Sequence, residues 1–370
     1  MAESSLAPDA LRRWVVDLWR AAGSDAGEAW LTADHLVGAN LAGHDSHGVG
    51  MLPRYVQAWL AGELQLNRHA AVSSDSGTML GVDGRRGMGQ VVAGEAMALA
   101  IERARSHGVC VLGLRDAHHL GRVGHWAEQA VAAGMVSIHF VNAMSLPLVA
   151  PHGGREARFA TNPFTVGIPV PGREPLLLDF ATSAIAVGKV RVAHLGGKTV
   201  PPGALLDTEG HPTDDPGVMF PPPGRPLGAL LPFAQHKGYA LAMVVEVLAA
   251  ALTGGETTRP ANLKYQAGVW NNMLAIVFDP QRLRSGTAFA DEVGAFVDWV
   301  RSAALQDGSA GILMPGDPER AARRARAAAI PLDAATVAEL DAAAAAVAQA
   351  GGQAVEPLSA RMAAAGRAAG

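Results

Sequence analysis

The sequence predicts an α/β protein in which one sheet is covered by helices, with helical segments at both ends of the chain. Two patterns and one count lead there. Apolar residues recur at helical spacing near the start of the chain and again after Phe289. Between them, short β-rich runs alternate with helix-length segments, the rhythm of a layered α/β fold. Of the 370 residues, 49% are hydrophobic, which suffices for a sizeable core.

Leu11, Trp14, Val15, Leu18 and Trp19 follow one helix face, and Gly23 stops that helix. Ser24 is placed to cap a second helix that reaches about Leu41 and stops at Gly43. Pro53 suits the first turn of a third. From about residue 76 the pattern becomes mixed. A helix is expected over Gln90–His107, then a strand over Val109–Leu114, a helix over Gly124–Ala133 and a strand over Val136–Val141. Further strands are expected at Leu176–Leu178 and Met273–Phe278, with a helix from Tyr239 to Leu252 between them. Residues 195–235 lack periodicity and read as one long loop, a candidate cover over a site. Phe289, Val293, Phe296, Val297 and Val300 form an apolar stripe, and an alanine-rich helix after Pro331 is expected to pack on the surface. The implied organisation is a helical portion over 1–75, an α/β domain over 76–299, and C-terminal helices over 300–370 that pack with the first portion.

A net charge of −4 offers no basic field for nucleic acid or an anionic membrane surface. The single cysteine, Cys110, excludes an internal disulfide framework and points to a reducing compartment. The first residues lack a signal-peptide pattern, and the most apolar helix is short and interrupted by Glu246. A cytoplasmic protein is expected. Only four lysines accompany 26 arginines, and Lys237 follows a histidine in one of the glycine-containing segments.

Neither GxGxxG after a strand nor GxxxxGK[ST] is present, so a Rossmann fingerprint and a P-loop are both missing. Histidines carry the better signal. His44 and His47 flank Asp45 and Ser46, His118 and His119 precede a Gly-containing loop, and His236 precedes Lys237. Three readings follow from these residues. They could be hydrogen-bonded loop residues. They could hold zinc through His44, His47, His119 and a carboxylate, without any known ligand spacing. Or they could move protons on a small 2-oxo or 2-hydroxy acid whose carboxylate is held by Arg54 or Arg122. Residue types alone leave the three open.

Six ordered motifs narrow the choice. They are NLAGHDSHGVGMLPRYV (40–56), HHLGRVGHWAEQA (118–130), VAPHGG with TNPFTVGIP (149–169), LLLDFATSAIAVGKVRVA (176–193), HKGYALAMVVEVLAAALTGG (236–255) and PGDPE (315–319). Together they resemble the malate/L-lactate dehydrogenase family, which is distinct from the Rossmann dehydrogenases. The resemblance implies a mixed, largely antiparallel sheet of non-Rossmann topology, a homodimer, and NAD as cofactor with NADP as the alternative. It implies interconversion of a 2-hydroxy acid and a 2-oxo acid, or reduction of a cyclic imine carboxylate on the same fold. His119 matches the proton-transferring histidine, and His47 a histidine close to substrate and nicotinamide. Gly121, Arg122 and Val123 match a cofactor-contacting loop, as do Leu177, Leu178, Asp179, Phe180 and Ala181. His236, Lys237, Asn271, Met314, Pro315, Gly316 and Asp317 match the remaining cofactor contacts. Asp179 beside a ribose favours NAD. Met51 stands where many members carry a carboxylate-clamping Arg, so Arg54, Arg122 or Lys237 is expected to hold the substrate carboxylate.

Overall fold

The computed structural model describes residues 4–265, 267–283, 287–351 and 353–369. Its first half contributes β1 (Ser4–Leu6), β2 (Ala71–Asp75), β3 (Met79–Asp83), β4 (Val109–His118), β5 (Val136–Met144), β6 (Phe164–Ile168) and β7 (Leu176–Phe180). The second half adds β8 (Leu205–Leu206), β9 (Pro212–Thr213), β10 (Ala229–Leu230), β11 (Trp270–Phe278) and β12 (Ile330–Leu332). Seven strands form the main sheet in the order β2-β3-β4-β11-β5-β6-β7. Only β3 and β4 run parallel, joined by the Gly89–His107 helix, and every other pairing is antiparallel. The expected mixed, largely antiparallel sheet is what forms.

The Gly89–His107 helix stops at Gly108, whose φ of +92° is open to glycine at little cost, as the sequence predicts. It packs on β4 and β11, where Val92, Met97, Leu112, Leu114 and Met273 share one buried cluster. β11 lies at the sheet centre and is buried along nearly its whole length. Its register against β4 shifts between Asn271 and Met273, a bulge that re-aims the asparagine.

At the N terminus, all five predicted apolar residues of the Pro8–Ala22 helix are buried, and Gly23 closes it at φ +103°. The second helix is capped differently from the expectation. Asp25, not Ser24, accepts the Glu28 N–H at 2.8 Å, while the Ser24 hydroxyl donates to the Glu28 carboxylate at 2.6 Å. A carboxylate is the stronger acceptor there.

Two further expectations are corrected. Residues 195–235 are not one irregular loop: β8, β9 and β10 form a small sheet there, over a cluster containing Val190, Val200, Leu205, Met219 and Leu230. Strands of two residues are too short to show a period. The alanine-rich helix, Ala334–Gln349, is not a surface addition either. Val337, Leu340 and Val347 enter the same cluster as Leu11, Trp14 and Leu36, and β1 pairs with β12 beside it. Alanine repeats blurred its apolar face. By contrast, much of the predicted stripe of the Ala288–Arg301 helix stays at the surface, with Phe296 57% exposed. No helix among the described residues is long and apolar enough to cross a membrane.

Leu340→Ala should cost about 2–5 kcal/mol in urea unfolding, the range for removing a fully buried leucine. Glu339→Ala, at the adjoining position and ion-paired with half-exposed Arg191, should cost under about 1 kcal/mol.

Candidate active site

β4 ends in His118, and the chain then turns through His119–Val123 into the Gly124–Ala132 helix. This short turn is fastened from several sides. The Leu120 N–H donates to Asn271 Oδ1 at 2.8 Å, and Trp126 Nε1 donates to the Leu120 carbonyl at 3.2 Å. The Arg122 N–H donates to His35 Nε2 at 3.0 Å. Gly121 adopts φ +71°, and a Cβ there would run into the His35 ring, so the position requires glycine twice over. His35 is buried, and desolvation drives its pKa well below the ordinary 6.5, keeping Nε2 an acceptor.

His119 is buried and held from behind. Its Nδ1 lies 2.6 Å from the Tyr55 hydroxyl. Gln90 Nε2 donates both to Tyr55 Oη and to the His119 carbonyl, each at 3.1 Å. Since a carbonyl only accepts, the Gln90 nitrogen must face it, and Tyr55 Oη keeps a lone pair that can accept from His119 Nδ1–H, the tautomer that leaves Nε2 unprotonated. The His47 ring stacks on His119 with centroids 5.5 Å apart, and Ser46 Oγ meets His47 Nδ1 at 2.9 Å. Burial, then the nearby His44, lowers the His47 pKa to about 4. Burial also takes His119 well below 6.5, with His47 and His118 adding to the shift. Both rings are therefore neutral at pH 7.

β7 ties the other predicted segments to this turn. Asp179 accepts the Gly124 N–H at 2.8 Å and the Thr165 hydroxyl at 2.7 Å, and it faces Arg122 NH1 at 4.0 Å. Arg122 also pairs with Glu128, which Arg323 holds from its other side at 3.0 Å. The Leu177 N–H donates to the Pro315 carbonyl at 3.2 Å, bringing Met314–Asp317 against the strand. At the far end, Phe180 meets Phe233 edge-on at 5.3 Å. Phe233 leads through Ala234 and Gln235, at φ +44° and +56°, into the exposed His236 and Lys237 at a helix start. Two adjacent non-glycine residues in that region mark a strained entry.

His47 and His119 thus share one place; Gly121–Val123 continue the turn from His119, Leu177–Ala181 reach that turn through Asp179, and Met314–Asp317 lie against Leu177. Asn271 is buried, its amide spent on Leu120 and on the Asn142 carbonyl, so it shapes the turn from beneath. Arg54 donates to the Gly268 carbonyl at 3.0 Å, and Gly268 lies against His118. Met51 packs into the helical core. The zinc arrangement does not assemble: His44 Nε2 pairs with Glu319 at 3.0 Å, and among the described residues the group spaced for a cation is Asp207, Glu209 and His211, on another surface. Tyr55, Gln90, His35 and Thr165 were not anticipated. Tyr55, one of only three tyrosines and two positions after Pro53 in a motif already singled out, was the most findable of them.

Comparison with known proteins agrees with this geometry. The family model described as malate/L-lactate dehydrogenase matches residues 6–341. Hydroxycarboxylate dehydrogenase B of Escherichia coli (strain K12) is 49% identical over 326 residues, covering 88% of this chain and 89% of that protein. A Delta(1)-pyrroline-2-carboxylate/Delta(1)-piperideine-2-carboxylate reductase of Pseudomonas syringae pv. tomato is 36% identical over 253 residues, covering 68% of this chain and 72% of the relative. The solved structure of a putative malate/lactate dehydrogenase from E. coli superposes with a TM-score of 0.90 at 44% identity, covering 99% of both chains. With the sheet topology, the ordered motifs and the family match all in accord, the chain belongs to the malate/L-lactate dehydrogenase family of oxidoreductases.

Proposed function

We propose that this enzyme interconverts a 2-hydroxy acid and its 2-oxo acid using a nicotinamide dinucleotide, with His119 moving the proton. The observation that carries the reading is the buried Gln90–Tyr55–His119 chain beside His47, inside a glycine-bordered turn. The residues present fit the cofactor. His236 and Lys237 stand exposed at the start of the His236–Glu246 helix, where a cation at the positive end of the helix dipole suits a phosphate. His47, Gly121–Val123, Leu177–Ala181, His236, Lys237 and Met314–Asp317 would hold it, with Asn271 acting through Leu120. When bound, the dinucleotide supplies or receives the hydride at its C4.

His119 then does the acid–base work. In oxidation the Nδ1–H tautomer of the neutral ring, with Nδ1–H donating to Tyr55 Oη, takes the hydroxyl proton at Nε2, and in reduction the imidazolium returns it to the forming alkoxide. Tyr55 suits both states, because Nδ1 carries its proton in each and the hydroxyl oxygen accepts it. The ring therefore keeps one orientation throughout. His47 orients the substrate oxygen, and Arg54, Arg122 or Lys237 supplies the cation for the substrate carboxylate. Reduction of a cyclic imine carboxylate is the second reading, favoured by the similarity to the Pseudomonas reductase. We infer a homodimer, as in the family resemblance.

The deciding assay oxidises NADH and NADPH against pyruvate, phenylpyruvate, oxaloacetate and hydroxypyruvate, alongside cyclic imine carboxylates. Turnover of a 2-oxo acid supports the proposal, turnover of imines alone replaces it with the second reading, and no turnover with any pair refutes both. His119→Ala should lower turnover about 10²–10⁴-fold with cofactor affinity retained, and near-normal turnover would remove the role. Tyr55→Phe should lower kcat about 10–100-fold, since it strands Nδ1 without its partner. Because burial depresses the His119 pKa, the imidazolium becomes scarce as pH rises. The kcat/KM for reduction should therefore fall by about tenfold per pH unit above pH 7, while that for oxidation stays level.

A further inference from the structure

Beyond the turn, a slot of about 580 Å³ opens where the start of β7 meets the Met314 loop and the end of the Ala288–Arg301 helix. Leu176, Val297 and Met314 give it apolar walls, and Arg173, Arg301 and Arg320 line it with guanidinium groups. Leu176 lies three residues from Asp179 along an extended strand, so the slot sits about 10 Å from the Arg122–Asp179 contact. It adjoins the proposed cofactor segments Leu177–Ala181 and Met314–Asp317. Apolar walls with arginine planes suit a purine nucleoside and its phosphate esters.

The charges in and beside the slot differ in how fully they are used. Asp298 takes both outer nitrogens of Arg173, at 2.9 and 3.0 Å. Arg320 donates to Asp317 at 2.8 Å and to the Pro175 carbonyl at 3.1 Å, with Glu174 3.8 Å from its Nε. Arg301 makes one hydrogen bond, to Asp317 at 3.1 Å, and its half-exposed side chain keeps its remaining donors. A ribose diol is usually held by a carboxylate with both oxygens free, which also repels a 2′-phosphate. Glu174, which also lines the slot, is 74% exposed and lies 3.8 Å from Arg320 Nε, whereas the two carboxylates on the proposed cofactor segments are engaged. Asp179 serves Gly124, Thr165 and Arg122, and Asp317 serves the Met314 N–H, Arg301 and Arg320.

We propose that Arg301 is a specificity-determining residue that receives the 2′-phosphate of the cofactor, so that the enzyme uses NADPH at least as well as NADH. This rests on the dinucleotide reading above and replaces the preference for NAD expected from Asp179. The test measures binding to the full chain by calorimetry, with adenosine 2′,5′-bisphosphate and 5′-AMP as probes. The bisphosphate should bind at least about tenfold more tightly, and Arg301→Gln should abolish that advantage while leaving 5′-AMP affinity unchanged. Arg301→Lys should keep part of it. Equal or tighter binding of 5′-AMP, or a preference that survives Arg301→Gln, overturns the proposal. So does NADH oxidation that is tenfold more efficient than NADPH oxidation, which leaves the dinucleotide reading standing. If neither probe binds and neither nicotinamide is oxidised, both fall together.

Discussion

The site depends on one constraint, the backbone of His119–Gly124, which other elements hold in a shape that requires glycine at position 121. Gly121 supplies the positive φ, and His35 from the second helix fills the space a side chain would need while accepting the Arg122 N–H. Asn271 on the central strand takes the Leu120 N–H, and Asp179 on β7 takes that of Gly124. The turn is therefore anchored to the N-terminal helices and to two strands of the sheet. Its geometry, and with it the placement of His119, follows from the fold and not from the loop's own preferences.

Burial explains the chemistry available there. Histidines that would titrate near pH 6.5 in water are kept neutral by desolvation, and each then needs a defined tautomer. Tyr55, itself held by Gln90, meets Nδ1 of His119 and leaves Nε2 to face the substrate, and Ser46 contacts His47. Such an arrangement favours a proton carrier over a metal ligand set, because each first ring nitrogen already has a local partner.

Much of the fold was legible where one residue dictates local geometry. Gly23 and Gly108 ended the helices predicted to stop there, and the five apolar residues of the first helix faced inward. Legibility failed where the signal was too short or too uniform. The two-residue strands β8, β9 and β10 carry no period, and alanine hid the buried face of Ala334–Gln349. At the site, the ordered motifs marked His47, His119 and the bordering segments together. Tyr55, Gln90, His35 and Thr165 escaped because their roles are contacts across 14 to 87 positions of chain, which no local pattern encodes.

The most direct test follows the hydride itself. The enzyme would be mixed with C4-deuterated reduced cofactor and the best 2-oxo acid of the panel, and the product examined by NMR. The account predicts deuterium at C2 of the 2-hydroxy acid in the wild type. It also predicts the same labelling, formed far more slowly, in His119→Ala. Product without deuterium at C2, or label lost to water, would contradict it.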